Sequence, residues 1–247
     1  MTFWHYLLLF SVVILSGAIA FLVRERGKSF LKIALSFSGA YILGITALHL
    51  MPSVFALHDH QPGLWILAGF FIQLFLEHLS MGVEHGHIHT TRKDGHRVVA
   101  FSIMLGLCLH AFLEGMPLGN YQDFHQIHHQ GHVHGHEHLL YGIILHKAPA
   151  AFSLTAILIA SGFSRRLSLI YLLVFAAMSP LGALTGTYFI QSANVQNIFL
   201  SMVIGSFLHI ATTILFEADN SSHHTISYQK LFAILVGVGL AILTLFL

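Results

Sequence analysis

Charged residues are scarce in this chain: only 9% of its 247 residues are Asp, Glu, Lys or Arg, while 55% are hydrophobic. So apolar a composition excludes an ordinary soluble domain and predicts an integral membrane protein. The net charge is only +1, and the sequence lacks the basic face that phosphate binding requires, which excludes a nucleic-acid partner. A single cysteine, Cys108, excludes an intramolecular disulfide and a cysteine-rich metal cluster.

Eight apolar runs occupy most of the chain, and each can cross the hydrocarbon of a bilayer, which takes a helix of roughly 20 residues. They lie near residues 3–23, 30–51, 63–83, 98–118, 139–161, 167–190, 195–216 and 230–247. We therefore predict an all-α polytopic membrane protein, a single domain over residues 1–247 with eight transmembrane helices surrounded by lipid.

The lysines and arginines predict the orientation of these helices. Ten of the 11 fall in alternate connections or at the ends of the runs beside them, and only Lys147 lies in the interior of a run, the fifth. Because cationic loops remain in the cytoplasm, both termini are expected outside it. We expect a multi-pass protein of the cell membrane, that is, a plasma or inner membrane.

Histidine is unusually abundant, with 21 residues, and a neutral imidazole is the commonest metal ligand among side chains. Two connections are rich in it, a cytoplasmic loop near residues 84–97 and an extracytoplasmic loop near residues 121–138. Each loop as a whole predicts weak, exchangeable capture of metal, although no individual histidine is required for it. Since the loops lie on opposite faces, we expect metal on both sides of the membrane.

Ionisable side chains within the runs are functional candidates, because a charge in hydrocarbon is costly unless it faces a partner or a wet cavity. His110 and Glu114 lie one turn apart on one face of the fourth run. His146 enters the fifth run from the same side of the membrane, and both histidines lie roughly 10 Å below that surface. Two imidazoles and one carboxylate suit a divalent ion such as Zn²⁺.

Other polar residues of the runs are candidates for a transport path. They are His49, Glu77, His78 and Lys147. For Glu77 and His78 a second interpretation fits equally well, namely that their side chains extend to the inner surface of the membrane and have no role in transport. His209 is interpreted as a core residue that hydrogen-bonds neighbouring backbone. The spacing of Gly182 and Gly186 favours close, sliding contact between helices.

The residues around these candidates resemble the ZIP family of divalent-metal transporters. Residues 110–115, His-Ala-Phe-Leu-Glu-Gly, match the His, Glu and Gly of the family pattern His-Asn-x-x-Asp/Glu-Gly in the fourth span. Residues 146–151, His-Lys-Ala-Pro-Ala-Ala, match the first His and the Pro of His-Glu-x-Pro-His-Glu in the fifth. The resemblance covers most of the chain and implies eight spans with extracytoplasmic termini.

The chain departs from this family pattern in a coherent way. The family has two adjacent metal positions, and the resemblance places Ala111, Lys147 and Ser179 where the second has its ligands. Ala150 stands where the first has a further ligand. We therefore hypothesise one metal site of His110, Glu114 and His146, with the Lys147 ammonium in place of the second cation and Ser179 on the transport path. The opposite interpretation, a transporter slowed or inactivated by the lost ligands, stays open.

We therefore predict a Zn²⁺ uptake transporter that is not an enzyme and needs no cofactor beyond its cargo. A negative-inside potential favours inward movement of a divalent ion by about 4.6 kcal/mol per 100 mV, and the sequence has no glycine-rich phosphate loop. Cd²⁺, Fe²⁺ and Mn²⁺ stay open as cargo, since these ligands do not select zinc.

Two alternatives and the oligomeric state remain open at this point. A membrane di-iron hydroxylase or desaturase would explain His125-Gln126-Ile127-His128-His129, although the two histidine clusters are predicted on opposite faces. A metal sensor or store would have the same ligands without transport. A homodimer is compatible with the sequence.

Overall fold

The computed structural model describes residues 1–22, 27–56, 61–83, 96–121, 138–216 and 227–246. All regular elements in these ranges are helical. The eight long helices are α1 (Phe3–Leu22), α2 (Gly27–Ile45), α3 (Pro62–Ser80), α4 (His96–Gly115), α5 (His138–Ala160), α6 (Arg165–Phe189), α7 (Ala193–Phe216) and α8 (Tyr228–Leu243). Helix α2 continues through a π-helical turn, Thr46–Leu50, into a short helix, Met51–Phe55, and α4 continues as a 3₁₀ turn, Met116–Asn120.

The eight helices coincide with the eight predicted apolar runs to within a few residues. Seven of them are long and apolar enough to cross a membrane, while α8 has 16 residues and is shorter. The predicted all-α polytopic fold is confirmed. The positions of the termini relative to the membrane stay a prediction, and nearly all of the two histidine-rich loops lies outside the described residues.

Local sequence signals define several helix ends. The Ser164 hydroxyl accepts a hydrogen bond from the amide of Leu167 at 3.3 Å and so caps the start of α6. Pro62 occupies the first turn of α3, where its missing N–H costs nothing. The same helix ends at Met81, which adopts the left-handed conformation with φ 56°.

The described helices pack as two groups of four. The first group consists of α1, α4, α5 and α6, in which α1 packs along α5 and α4 along α6. The second group consists of α2, α3, α7 and α8, in which α3 packs along α7 and α8 along α2. The groups meet where α3 contacts α4 and where α2 contacts α5. A side chain between α4 and the pair α3 and α7 therefore lies at the boundary of the groups.

Glycines bring the backbones of α4 and α6 into direct contact. A Cβ atom on Gly182 would overlap the carbonyl oxygen of Phe112, and one on Gly186 would overlap that of Met116. The close contact that this spacing predicted is therefore present. It joins two helices of the first group, and sliding of one along the other stays a prediction.

Glycines also hold α3 against α7 in the second group. A Cβ atom on Gly69 would overlap the carbonyl oxygen of Met202, and one on Gly205 would overlap that of Ile66. The first group thus contains one pair of helices in backbone contact. The second group contains two, because a Cβ atom on Gly237 of α8 would overlap the carbonyl oxygen of Phe37 in α2. No small side-chain movement can separate such pairs.

Candidate metal centre

His110 and Glu114 of α4 lie in contact in the interior of the protein. The Nε2 atom of His110 is 3.0 Å from Oε2 of Glu114, and the two side chains are only 3% and 1% exposed. The contact follows from the helix itself, since residues four apart lie on the same face. The predicted pairing of these two residues is thus present in the structure.

His146 of α5 comes next to this pair. Its ring and that of His110 are edge to face, with centroids 5.8 Å apart and an angle of 84° between the planes. The three predicted ligands therefore come close together where side chains of α4 and α5 meet. Among the described residues, no group of three His, Cys, Asp or Glu side chains is already arranged to hold a metal, so the assignment of these three as ligands stays a prediction.

Lys147 is the fourth ionisable side chain of this centre. Its Nζ atom forms an ion pair with Oε1 of Glu114 and lies 5.0 Å from the centre of the Phe175 ring in α6. Only 2% of Lys147 is exposed, so the ammonium depends on these neighbours in place of water. The two oxygens of Glu114 thus face different partners, His110 on one side and Lys147 on the other.

Ser179 of α6, which the family pattern placed on the transport path, contacts the backbone of α4. Its hydroxyl donates a hydrogen bond of 2.8 Å to the carbonyl of Ala111. Ala111 and Ala150 are both buried, and their methyl groups offer a cation no ligand. At the positions that differ from the family pattern, Ala111 and Ala150 are buried methyl groups, Ser179 bonds to the backbone of α4, and Lys147 places an ammonium beside Glu114.

A small cavity lies beside His110 and Glu114 at the boundary of the two groups. It is lined by residues of α3, α4 and α7, among them Gln73, Met202 and Ser206. Its volume of about 20 Å³ is enough for one species of the size of water. The centre therefore has free space on the side of the second group.

Two polar residues of this boundary were missed in the sequence. The Ser206 hydroxyl of α7 donates to Oε1 of Gln73 in α3 at 3.0 Å, and the Ser206 oxygen lies 3.5 Å from Nδ1 of His110. One available signal was that Gln73 is a strongly polar residue in the middle of an apolar run, four residues before Glu77. That spacing puts both on one face of α3.

Glu77 lies one turn farther along α3 and contacts His209 of α7. The contact joins Oε2 of Glu77 to Nε2 of His209. The interpretation of His209 as bonded to neighbouring backbone was therefore wrong, because its ring nitrogen has a carboxylate partner. His78 is exposed, so the structure separates the two neighbours that the sequence treated as a pair.

His49 lies at a different contact of the two groups. It belongs to the π-helical turn that follows α2, an element frequent at functional sites. Its ring stacks on that of His138 at the start of α5, with centroids 3.9 Å apart. Its Nε2 atom is 2.9 Å from the Thr244 hydroxyl oxygen at the end of α8. The contacts that the structure shows for His49 are thus with these residues and not with the centre at Glu114.

The fold and the buried ionisable residues define a multi-pass integral membrane protein with a charged centre in its core. The family described as ZIP Zinc transporter matches residues 82–245, well over half of the chain. This chain therefore belongs to the ZIP family. Members of the family are transporters and not enzymes, so the alternative of a membrane di-iron hydroxylase is discarded.

Relatives with curated names support this membership. Zinc transporter ZIP9 of Micropogonias undulatus is 31% identical over 183 residues, which cover 67% of this chain and 56% of the relative. Zinc transporter ZIP9-B of Xenopus laevis is 29% identical over 183 residues, with 67% and 57% covered. Zinc transporter ZIP1 of Danio rerio is 26% identical over 146 residues, with 52% and 45% covered. The matches thus span about half of the length of these relatives.

Proposed function

We propose that this protein carries Zn²⁺ into the cytoplasm through a single buried site formed by His110, Glu114 and His146. The observation that carries the proposal is the meeting of these three side chains between α4 and α5, beside a cavity at the boundary of the helix groups. Two imidazoles and a carboxylate are suitable zinc ligands, and they leave the fourth tetrahedral position to water or another side chain.

Two distances at this centre can be compared with those of a zinc site. Two imidazoles bound to one tetrahedral zinc, with Zn–N of about 2.0 Å, have their ring centroids roughly 5 Å apart. The rings of His110 and His146 are 5.8 Å apart. Ligand atoms on such an ion are roughly 3.3 Å apart, against the 3.0 Å between His110 and Glu114. The three side chains are not arranged to hold a metal as they stand, so they would have to rotate to bind one ion together.

Lys147 takes the place of a second metal ion in this proposal. Its ammonium already neutralises Glu114, as a bound cation would in the family pattern. An arriving Zn²⁺ therefore meets a centre in which one negative and one positive charge balance. Because the ammonium is covalently attached, the site holds a single ion, and one ion crosses at a time.

Transport would require one group of helices to move relative to the other. Backbone contacts hold helices together within each group, and one at Gly106 also joins α4 to α3 across the boundary. Movement of one group as a unit, as the family implies, would release that contact. The extracytoplasmic loop near residues 121–138 would collect the ion and the cytoplasmic loop near residues 84–97 would receive it, with both termini outside. A potential of 100 mV favours this inward step by about 4.6 kcal/mol.

Zinc uptake into liposomes tests the proposal. The purified protein is reconstituted with an entrapped zinc-sensitive dye, and a negative-inside potential is applied. We expect wild-type influx, and His110→Ala should reduce it to the level of protein-free liposomes, because the site loses one of its two imidazoles. His5→Ala, which removes a histidine from the N-terminal part of α1, is the matched control and should leave influx unchanged. Cd²⁺, Fe²⁺ and Mn²⁺ are tested as competitors in the same assay.

Other results of this assay would contradict the proposal. Tight zinc binding by the wild-type protein without influx would indicate a sensor or store, or a pathway disabled by its lost ligands. Equal influx in the wild-type protein and His110→Ala would place the site elsewhere.

Light scattering of the detergent-solubilised protein tests separately whether it is a homodimer.

Replacement of Lys147 by glutamate tests the role of the ammonium. Lys147→Glu should raise the zinc stoichiometry above one per chain and change the transport rate, because two carboxylates then face a second cation. Lys147→Met, which removes the charge without adding a ligand, is the control and should keep a stoichiometry of one. Isothermal titration and the influx assay measure both quantities. Unchanged stoichiometry and transport in Lys147→Glu would refute the role of Lys147.

A further inference from the structure

We propose that Gln73 and Ser206 are positioning residues that fix which nitrogen of His110 faces the transported ion. The inference rests on the proposed function, since it takes His110 as a ligand. It assigns a role in ion binding to two helices, α3 and α7, that contribute none of the three proposed ligands.

The direction of the hydrogen bonds carries this inference. A serine hydroxyl has one proton, and that of Ser206 is donated to Oε1 of Gln73 at 3.0 Å. Towards Nδ1 of His110, 3.5 Å away, the Ser206 oxygen can therefore only accept. The contact is a hydrogen bond when Nδ1 carries the hydrogen. The nitrogen left for an ion is Nε2, which is the atom that faces Glu114.

This arrangement is one that metal sites use in general. A histidine ligand usually donates its second ring N–H to an oxygen, which fixes both its tautomer and the orientation of its ring. Without the Ser206 oxygen, the tautomer with hydrogen on Nε2 becomes available as well, and the ion has to compete with it. The affinity for the ion should fall although every proposed ligand remains.

The alternative is that Gln73 and Ser206 only hold α3 and α7 together. The structure argues against a need for this, because these helices are already in backbone contact at Gly69 and Gly205. Gln73 and Ser206 also line the cavity beside His110 and Glu114, which a purely structural bond between helices would not require. Their position thus favours a role towards the ion.

Serine variants of α7 test the inference in the full-length protein. Ser206→Ala should weaken Zn²⁺ binding by about 10- to 100-fold, the usual effect of removing the partner of a histidine ligand. Ser206→Thr keeps the hydroxyl and should retain wild-type affinity. Ser201→Ala is the matched control, because Ser201 is a buried serine of the same helix that lies outside the cavity. Binding is measured by titration with Zn²⁺ and with Co²⁺.

The absorption spectrum of bound Co²⁺ separates positioning from stability. In Ser206→Ala the Co²⁺ bands should shift while the melting temperature changes no more than in Ser201→Ala. Gln73→Leu should have the same effect as Ser206→Ala, because the serine proton is then free to turn towards His110. In influx, the KM should rise more than the maximal rate falls. Equal losses of affinity in Ser206→Ala and Ser201→Ala would overturn the inference, as would wild-type binding by Ser206→Ala.

His110→Ala in the same titration distinguishes this failure from that of the proposed function. If His110→Ala loses binding while Ser206→Ala binds as the wild-type protein does, only the positioning role is refuted. If His110→Ala retains wild-type affinity, the proposed site is refuted and the positioning role with it.

Discussion

Replacing Glu114 with leucine should destabilise the protein by about 3–5 kcal/mol and abolish zinc binding, because it leaves a charge buried without its partner. The stranded charge is the ammonium of Lys147, which is only 2% exposed and forms its ion pair with this carboxylate. The Phe175 ring, 5.0 Å away, cannot replace a carboxylate. Thermal unfolding of the protein in detergent measures the stability, and titration with Zn²⁺ measures the binding.

The double variant Glu114→Leu/Lys147→Met separates stability from function. Apolar residues of similar volume often replace a buried ion pair at little cost, so the double variant should regain most of the lost stability. It should not regain zinc binding, since a ligand is still missing. Lys147→Met alone should cost less than Glu114→Leu, because a carboxyl group can take up a proton. A double variant no more stable than Glu114→Leu would contradict the ion pair.

Gly182→Leu should prevent the protein from folding, with a loss of more than about 4 kcal/mol, which is exceptional for one substitution. A Cβ atom at this position overlaps the carbonyl oxygen of Phe112, and a backbone atom cannot rotate away as a side chain can. Helix α6 would have to leave α4, which also carries His110 and Glu114. The measurement is the yield of monodisperse protein after size-exclusion chromatography.

Gly239→Leu is the matched control for this prediction. A Cβ atom on Gly239, in α8, meets no atom within 4 Å, so the leucine has free space around it. We expect wild-type yield and a melting temperature close to that of the wild-type protein. Folded, monodisperse Gly182→Leu would show that α4 and α6 can separate, and would remove the argument that the first group is rigid.

The sequence predicted the helices and the local part of the centre, for physical reasons that differ. Each run is apolar over the length of a span, and a single segment in hydrocarbon can satisfy its own backbone hydrogen bonds only as a helix. The contact of His110 with Glu114 is a property of one helix. The approach of His146 followed from its depth, because the fourth and fifth runs enter from the same surface.

Contacts between distant helices could not be predicted in this way. All eight runs are apolar on most sides, so their periodicity does not show which helix faces which. The partnership of Glu77 with His209 and that of Gln73 with Ser206 both depend on the packing of α3 along α7. For the same reason the glycines of α6 were recognised as a contact surface while their partner, α4, was not.

The ion pair of Glu114 with Lys147 has a further consequence for a transport cycle. Under the proposed function, the emptied centre again contains one carboxylate and one ammonium in contact, which together have no net charge. The step that resets the protein therefore moves little charge through the electric field, whereas the loaded step moves the two charges of the ion. A stronger potential should accelerate only the loaded step. The rate of turnover should consequently reach a plateau as the potential increases, at the rate of the reset.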